Sequence, residues 1–149
     1  ELLSIATDTD RTLFCDFLPL DLGSVEGFRT RFHLYATPGQ VIYVRTRQAL
    51  LAGVDGIVFV ADSSKAKLRA NVITLHELDN VLLSQGRSLS EVPLVMQYNK
   101  RDLPDALPLP VLEARLNRLR IPSIPAVATS GEGVFATLRT ICKMVIAKL

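Results

Sequence analysis

Asn99-Lys100-Arg101-Asp102 follows directly on a run of continuous apolar character, Val92 to Tyr98. A carboxylate three places beyond an asparagine can accept two hydrogen bonds from the N1–H and exocyclic amine of guanine. Adenine lacks that donor pair, so Asp102 would select guanine, and paired charge-assisted bonds are the strong kind. Asn99 could bond the purine edge and tie neighbouring loops together, while the stem of Lys100 could lie along the base and sugar. The plainer alternative is a surface turn, since Asn, Asp and the nearby Pro104 all favour loops.

Three other segments carry usable chemistry. In Ala128-Thr129-Ser130-Gly131-Glu132-Gly133, a small residue at Ala128 would let its backbone N–H approach the guanine carbonyl oxygen. Thr129 lies beside it, and Ser130 could equally be an ordinary helix cap. In Thr37-Pro38-Gly39-Gln40, Gly39 permits close backbone approach to a terminal phosphate and Gln40 could orient an attacking water. The alternative there is a Pro-Gly turn. Arg11 and Thr12 offer a guanidinium for developing charge and a hydroxyl for Mg²⁺; taken alone they read as a surface charge and a strand residue.

These loops must hang on a scaffold, and the pattern of the chain supplies one. Thr12 to Leu20 is β-rich, Gly23 to Gly27 offers a turn, and Phe28 to Ala36 alternates. Phe28, Thr30, Phe32 and Leu34 face one way and Arg29, Arg31, His33 and Tyr35 the other, which predicts an antiparallel hairpin with one solvated face. Gly56 to Ala61 and Val92 to Tyr98 are short, Val- and Ile-rich runs suited to parallel strands covered on both faces. Between them Leu68, Val72, Leu75, Leu78 and Leu82 form a helical stripe, with Asp62 and Ser63 as candidate caps and Gly86 as its stop. Helices are expected at Leu109 to Leu119 and Val134 to Leu149, with a strand near Ile124 to Val127. The sum is an α/β fold: a mostly parallel sheet with one antiparallel hairpin and helices on both faces. In such sheets ligands sit at the carboxyl ends of the strands, where the loops above fall.

Composition excludes several classes. The 149 residues are 48% hydrophobic and 21% charged, as in a globular domain, and no linker divides residues 1–149. A net charge of +2 is too small to argue for a nucleic-acid partner or an anionic membrane surface, and none is expected. No apolar run has the length of a membrane span, and a cytoplasmic protein is expected. Cys15 and Cys142 sit in apolar patterns without metal spacing and read as buried thiols.

Together the segments resemble the Ras-like small GTPases, and most closely the bacterial mutual gliding-motility protein A group. Asp10-Arg11-Thr12-Leu13-Phe14, Asp16 to Leu20, Arg31 to Tyr35 leading to Pro38-Gly39-Gln40, Gly53 to Asp62, and Gln97 to Pro104 carry the resemblance. It implies a Ras-like P-loop NTPase fold binding GTP/GDP and Mg²⁺. Arg11 would be an arginine finger supplied in cis, Thr12 the first-switch threonine that senses γ-phosphate and Mg²⁺, and Gln40 the residue that positions water. Gly39 would approach the phosphate; Asn99, Lys100 and Asp102, supported by Ala128 and Thr129, would hold guanine. The resemblance also implies a switch controlling cell polarity and gliding motility, and recruitment to a cell pole. Its partners would be a Roadblock-fold GTPase-activating protein and downstream motility effectors. Thr37 stands where most small GTPases carry Asp, as is common in the gliding-motility group.

One departure is large. No Gly-x-x-x-x-Gly-Lys-[Ser/Thr] occurs in the chain, so the loop whose amides cradle phosphates is absent. In the Ras-like sheet the strand before that loop is central, and losing it would leave two strand edges unpaired, at about 1–3 kcal/mol for each unmet buried group. With a first residue of Glu1, this is read as a truncated small GTPase domain spanning 1–149. The alternative is a P-loop-less, GTPase-like interaction module.

Overall fold

The computed structural model describes residues 16–25, 28–37 and 44–149, which fall into two compact units, 1–54 and 55–149. In the first unit, β1 (Asp16–Val25) pairs antiparallel with β2 (Phe28–Ala36), with Phe17 opposite Tyr35 and Leu20 opposite Phe32. The expected alternation holds along β2: Thr30, Phe32 and Leu34 are half-buried, whereas Arg31, His33 and Tyr35 are exposed. Part of the segment expected to form the turn is strand instead. β1 runs on through Gly23 to Val25, and the register shifts between Asp21 and Ser24. Glycine inside a strand often marks such an irregularity, because the ladder there has an extra residue to accommodate. A helix, α1 (Val44–Leu51), completes what is described of this unit.

The second unit is a three-stranded parallel sheet, in the order β3 (Ile57–Asp62), β4 (Leu94–Asn99), β5 (Ser123–Pro125). The register pairs Val58 with Val95, Asp62 with Asn99 and Tyr98 with Pro125. Two polar residues, Asp62 and Asn99, therefore end neighbouring strands side by side. On one face Phe59, Ala61, Leu94, Met96 and Tyr98 form the core with Leu112 and Leu116 of α3 (Leu109–Leu116). The stripe Leu68, Val72, Leu75 and Leu78 of α2 (Leu68–Ser84) packs against that core, and Leu82 is fully buried. α2 ends as the glycine signal requires. Gly86 takes φ +73°, and its N–H bonds the Leu83 carbonyl at 3.0 Å while that of Arg87 bonds the Leu82 carbonyl at 2.9 Å. This pair of bonds satisfies carbonyls that the helix leaves open.

The last helix, α4 (Val134–Ile146), buries Thr137, Ile141, Cys142 and Val145. It comes so close to the start of β3 that a Cβ on Gly56 would lie 2.6 Å from Val145 Cγ2. Burial pushes the Cys142 thiol up from its usual range, so this cysteine behaves as a small apolar side chain. Along its outer edge β3 pairs with no strand among the described residues of this unit, and Val60 is half exposed.

Candidate functional site

Three loops gather where β3, β4 and β5 end. Backbone hydrogen bonds stitch them together. Ser63 N–H bonds the Asn99 carbonyl at 3.0 Å, Leu107 N–H bonds the Ser63 carbonyl at 2.8 Å, and Lys65 N–H bonds the Asp105 carbonyl at 3.1 Å. On the other side, Ala126 N–H bonds the Tyr98 carbonyl at 2.8 Å and Arg101 N–H bonds the Ala126 carbonyl at 3.1 Å. The segment 99–107 is thus clamped between its two neighbours. Backbone groups at buried strand ends must find partners, and here the loops supply them to one another.

Within this frame the structure brings together Asn99, Lys100, Asp102 and Ala128. Asn99 Oδ1 accepts the Ala128 N–H at 2.9 Å, so the tie between loops expected of Asn99 is present and uses the amide expected to face a guanine oxygen. Lys100 adopts φ +62°, a left-handed conformation rare for a residue with a Cβ, costing roughly 1–2 kcal/mol. Leu103 N–H closes the turn on the Lys100 carbonyl at 3.2 Å. Arg101 bends back, its Nη1 donating to the Leu107 carbonyl at 2.6 Å, and so braces the loop. Asp102 is exposed and, among the described residues, its carboxylate accepts no hydrogen bond, which leaves both oxygens available to a ligand.

Asp62 differs from its expected role. It caps no helix. Its Oδ1 accepts the Ser64 N–H at 2.9 Å and the Ser64 hydroxyl at 2.8 Å, and its Oδ2 pairs with Lys100 Nζ at 2.8 Å. α2 itself begins after a single 3-10 turn, Lys65–Lys67, without any side-chain cap. Partial burial works to raise the Asp62 carboxyl, but the bonds from Lys100 and Ser64 outweigh it and hold it below the ordinary carboxylate value. The hydrogen bond to Asp62, with its charge, raises Lys100 in turn. Behind Asp62 stands Asn71 of α2, buried, which accepts the Asp62 N–H at 3.3 Å and donates to the Asp62 carbonyl at 2.8 Å. Neither Asp62 nor Asn71 was recognisable as part of the site from chain spacing; their signal is the strand register.

The 128–133 segment is a tight return in which Val127 pairs with Glu132. Thr129 is exposed at its tip. Ser130 does not cap the last helix: its hydroxyl donates to the Val127 carbonyl at 3.0 Å, and α4 starts after Gly133. Gly133 has φ +76°, and a Cβ there would sit 2.2 Å from the Pro125 carbonyl oxygen. Only glycine lets the helix begin this close to β5.

Arg11, Thr12, Gly39 and Gln40 lie outside the described residues. Among the described residues no group of three or more His, Cys, Asp or Glu side chains is placed to hold a metal ion, and no helix is long and apolar enough to cross a membrane. What the described residues place together is an exposed carboxylate, Asp102, three residues beyond an asparagine at the end of a buried strand.

Comparison with known proteins agrees with this geometry. The model of the ADP-ribosylation factor family matches residues 20–145. The mutual gliding-motility protein MglA of Myxococcus xanthus is 51% identical over 149 residues, which is all of this chain and 76% of that protein. Elongation factor 4 of Thermus thermophilus is 31% identical over 117 residues, 76% of this chain but 18% of that protein.

Proposed function

The chain belongs to the ADP-ribosylation factor family of Ras-like small GTPases, and we propose that it reads guanine for a GTP/GDP switch of the kind that controls gliding motility and cell polarity. The observation that carries this reading is the exposed carboxylate of Asp102, which accepts no hydrogen bond among the described residues, in a loop that Asn99 begins and that is clamped at the end of β4. Asp102 accepts from N1–H and the exocyclic amine, and Asn99 meets the purine edge. The Lys100 stem covers one face of the base, with Ala128 and Thr129 closing the opposite loop. When bound, GTP with Mg²⁺ supplies the phosphoanhydride bond to be cleaved. Thr12 would then reach the metal, Gly39 would approach the terminal phosphate, Gln40 would hold water and Arg11 would stabilise developing charge.

Likeness to MglA supports the physiological half of the proposal. The protein acts in the cytoplasm with recruitment to a cell pole, meets downstream motility and polarity effectors, and is switched off by a Roadblock-fold activating protein. Residues 1–149 contain no Gly-x-x-x-x-Gly-Lys-[Ser/Thr], which keeps a second reading in play, a GTPase-like interaction module with little nucleotide affinity. The test is competition between GDP and ADP for the full-length protein, together with the coding sequence upstream of Glu1. Retention of GDP in large excess over ADP supports the switch. Equal retention of both overturns guanine reading, and retention of neither favours the module. Turnover that slows in Arg11→Ala and Gln40→Leu while GDP stays bound supports the catalytic roles; parent rates in both remove them.

A further inference from the structure

Asp62 has no part in base recognition as set out above, yet it is among the most heavily bonded residues at the site. Its backbone is gripped in both directions by the buried Asn71 side chain, at 3.3 Å and 2.8 Å. One carboxylate oxygen takes two bonds from Ser64, at 2.9 Å and 2.8 Å, and the other faces Lys100 Nζ at 2.8 Å. The register sets Asp62 directly beside Asn99, so the carboxylate reaches across from one strand end to the loop leaving the next. Lys100, by contrast, is loosely housed: its side chain is 52% exposed on a left-handed backbone. A long flexible side chain in that setting samples many rotamers unless something anchors its tip.

We propose that Asp62, fixed from behind by Asn71, is the positioning residue that anchors the Lys100 ammonium and so presets the Lys100 stem against the purine face. This inference rests on the guanine reading of the loop. An ion pair with one half-exposed partner adds little to folding. Its value here is geometric, because the Asp62 backbone is held by Asn71 and its carboxylate by Ser64, in hydrogen bonds that do not involve Lys100. Both shifts favour the charged forms, so the pair stays ionised around neutral pH.

The experiment follows release of a fluorescent GDP analogue from the full-length protein. Asp62→Asn keeps the size of the side chain and an acceptor for Ser64 but removes the charge. Release should quicken by about three- to tenfold, the span of a pairwise coupling of this kind, with the melting temperature nearly unchanged. Lys100→Met, which keeps the stem without the ammonium and leaves the bonds of Asp62 to Ser64 and Asn71 in place, should give a similar acceleration. In the double variant the two effects should not add. Release at the parent rate from Asp62→Asn, or full additivity in the double variant, overturns the positioning role while leaving guanine reading intact. A parent protein that holds no GDP overturns the guanine reading itself, and this inference with it.

Discussion

Asn99 Oδ1 and the Ala128 amide, 29 residues apart in the chain, are joined by a hydrogen bond of 2.9 Å. One amide carries one hydrogen, so in this state the Ala128 N–H is engaged by Asn99, and donating it to a guanine oxygen requires the contact to be shared or released. The two functions of Asn99 are separable by substitution. Asn99→Ala should lower stability by about 0.5–1.5 kcal/mol, a lost hydrogen bond, and weaken GDP retention. Asn99→Asp keeps the acceptor for Ala128 and removes the amide donor. It should retain the denaturation midpoint of the parent while still losing GDP affinity. Urea titration and equilibrium binding measure the two effects.

Asp102→Asn should exchange base preference. The amide can donate to a carbonyl where the carboxylate could only accept from an amine, so xanthosine diphosphate should gain and GDP should lose. A bidentate site of this kind discriminates by about 10³-fold or more. Because Asp102 is exposed and makes no hydrogen bond among the described residues, the melting temperature should stay within a degree or two of the parent, about the scatter of a surface change.

Gly133→Ala should be among the costly single-methyl additions in the chain. The added carbon would fall 2.2 Å from the Pro125 carbonyl oxygen on a backbone at φ +76°. Left-handed strain and overpacking together amount to roughly 2–4 kcal/mol. A thermal melt should show the loss, and amide exchange in 126–133 should quicken ahead of the rest.

The pH dependence of the Asp62–Lys100 pair has a definite sign. The folded-state carboxyl is lowered from 3.8, so its contribution is present above that value and disappears as pH falls through the depressed one. The folded-state ammonium is raised from 10.5, so its contribution is complete below that value and disappears as pH rises through the elevated one. The stability difference between the parent and Asp62→Asn should therefore be flat between about pH 5 and 9. It should shrink only in the acid and alkaline limbs, and stay small throughout because water screens the half-exposed lysine. Denaturant midpoints across pH give the profile.

Sequence pattern carried the scaffold well where burial was one-sided or complete. The apolar runs became β3 and β4, the leucine stripe became the core face of α2, and Gly86 ended it with a left-handed turn. α1 escaped notice because Val44–Leu51 has arginines and Gln48 scattered among its apolar residues and no clear stripe. Asp62 and Ser130 were misplaced as caps for a common reason: a short polar residue before a helix looks the same whether it bonds the helix or another loop. What decides is which strand ends lie side by side, and chain spacing does not encode the pairing of Asp62 with Asn99. The same limit hid Asn71 and the inward turn of Arg101.

The base-reading loop keeps its place chiefly through peptide groups, from Ser63 and Lys65 on one side and Ala126 on the other. Every residue type but proline carries both the N–H and the carbonyl, so residues 103–105, whose side chains are exposed, can change over evolutionary time without dislodging Asn99 or Asp102, provided position 103 keeps the N–H that bonds the Lys100 carbonyl. Relatives can thus differ in the surface they offer at this corner while recognising the same base, and a library randomised at these three positions would vary recognition by partners separately from recognition of nucleotide.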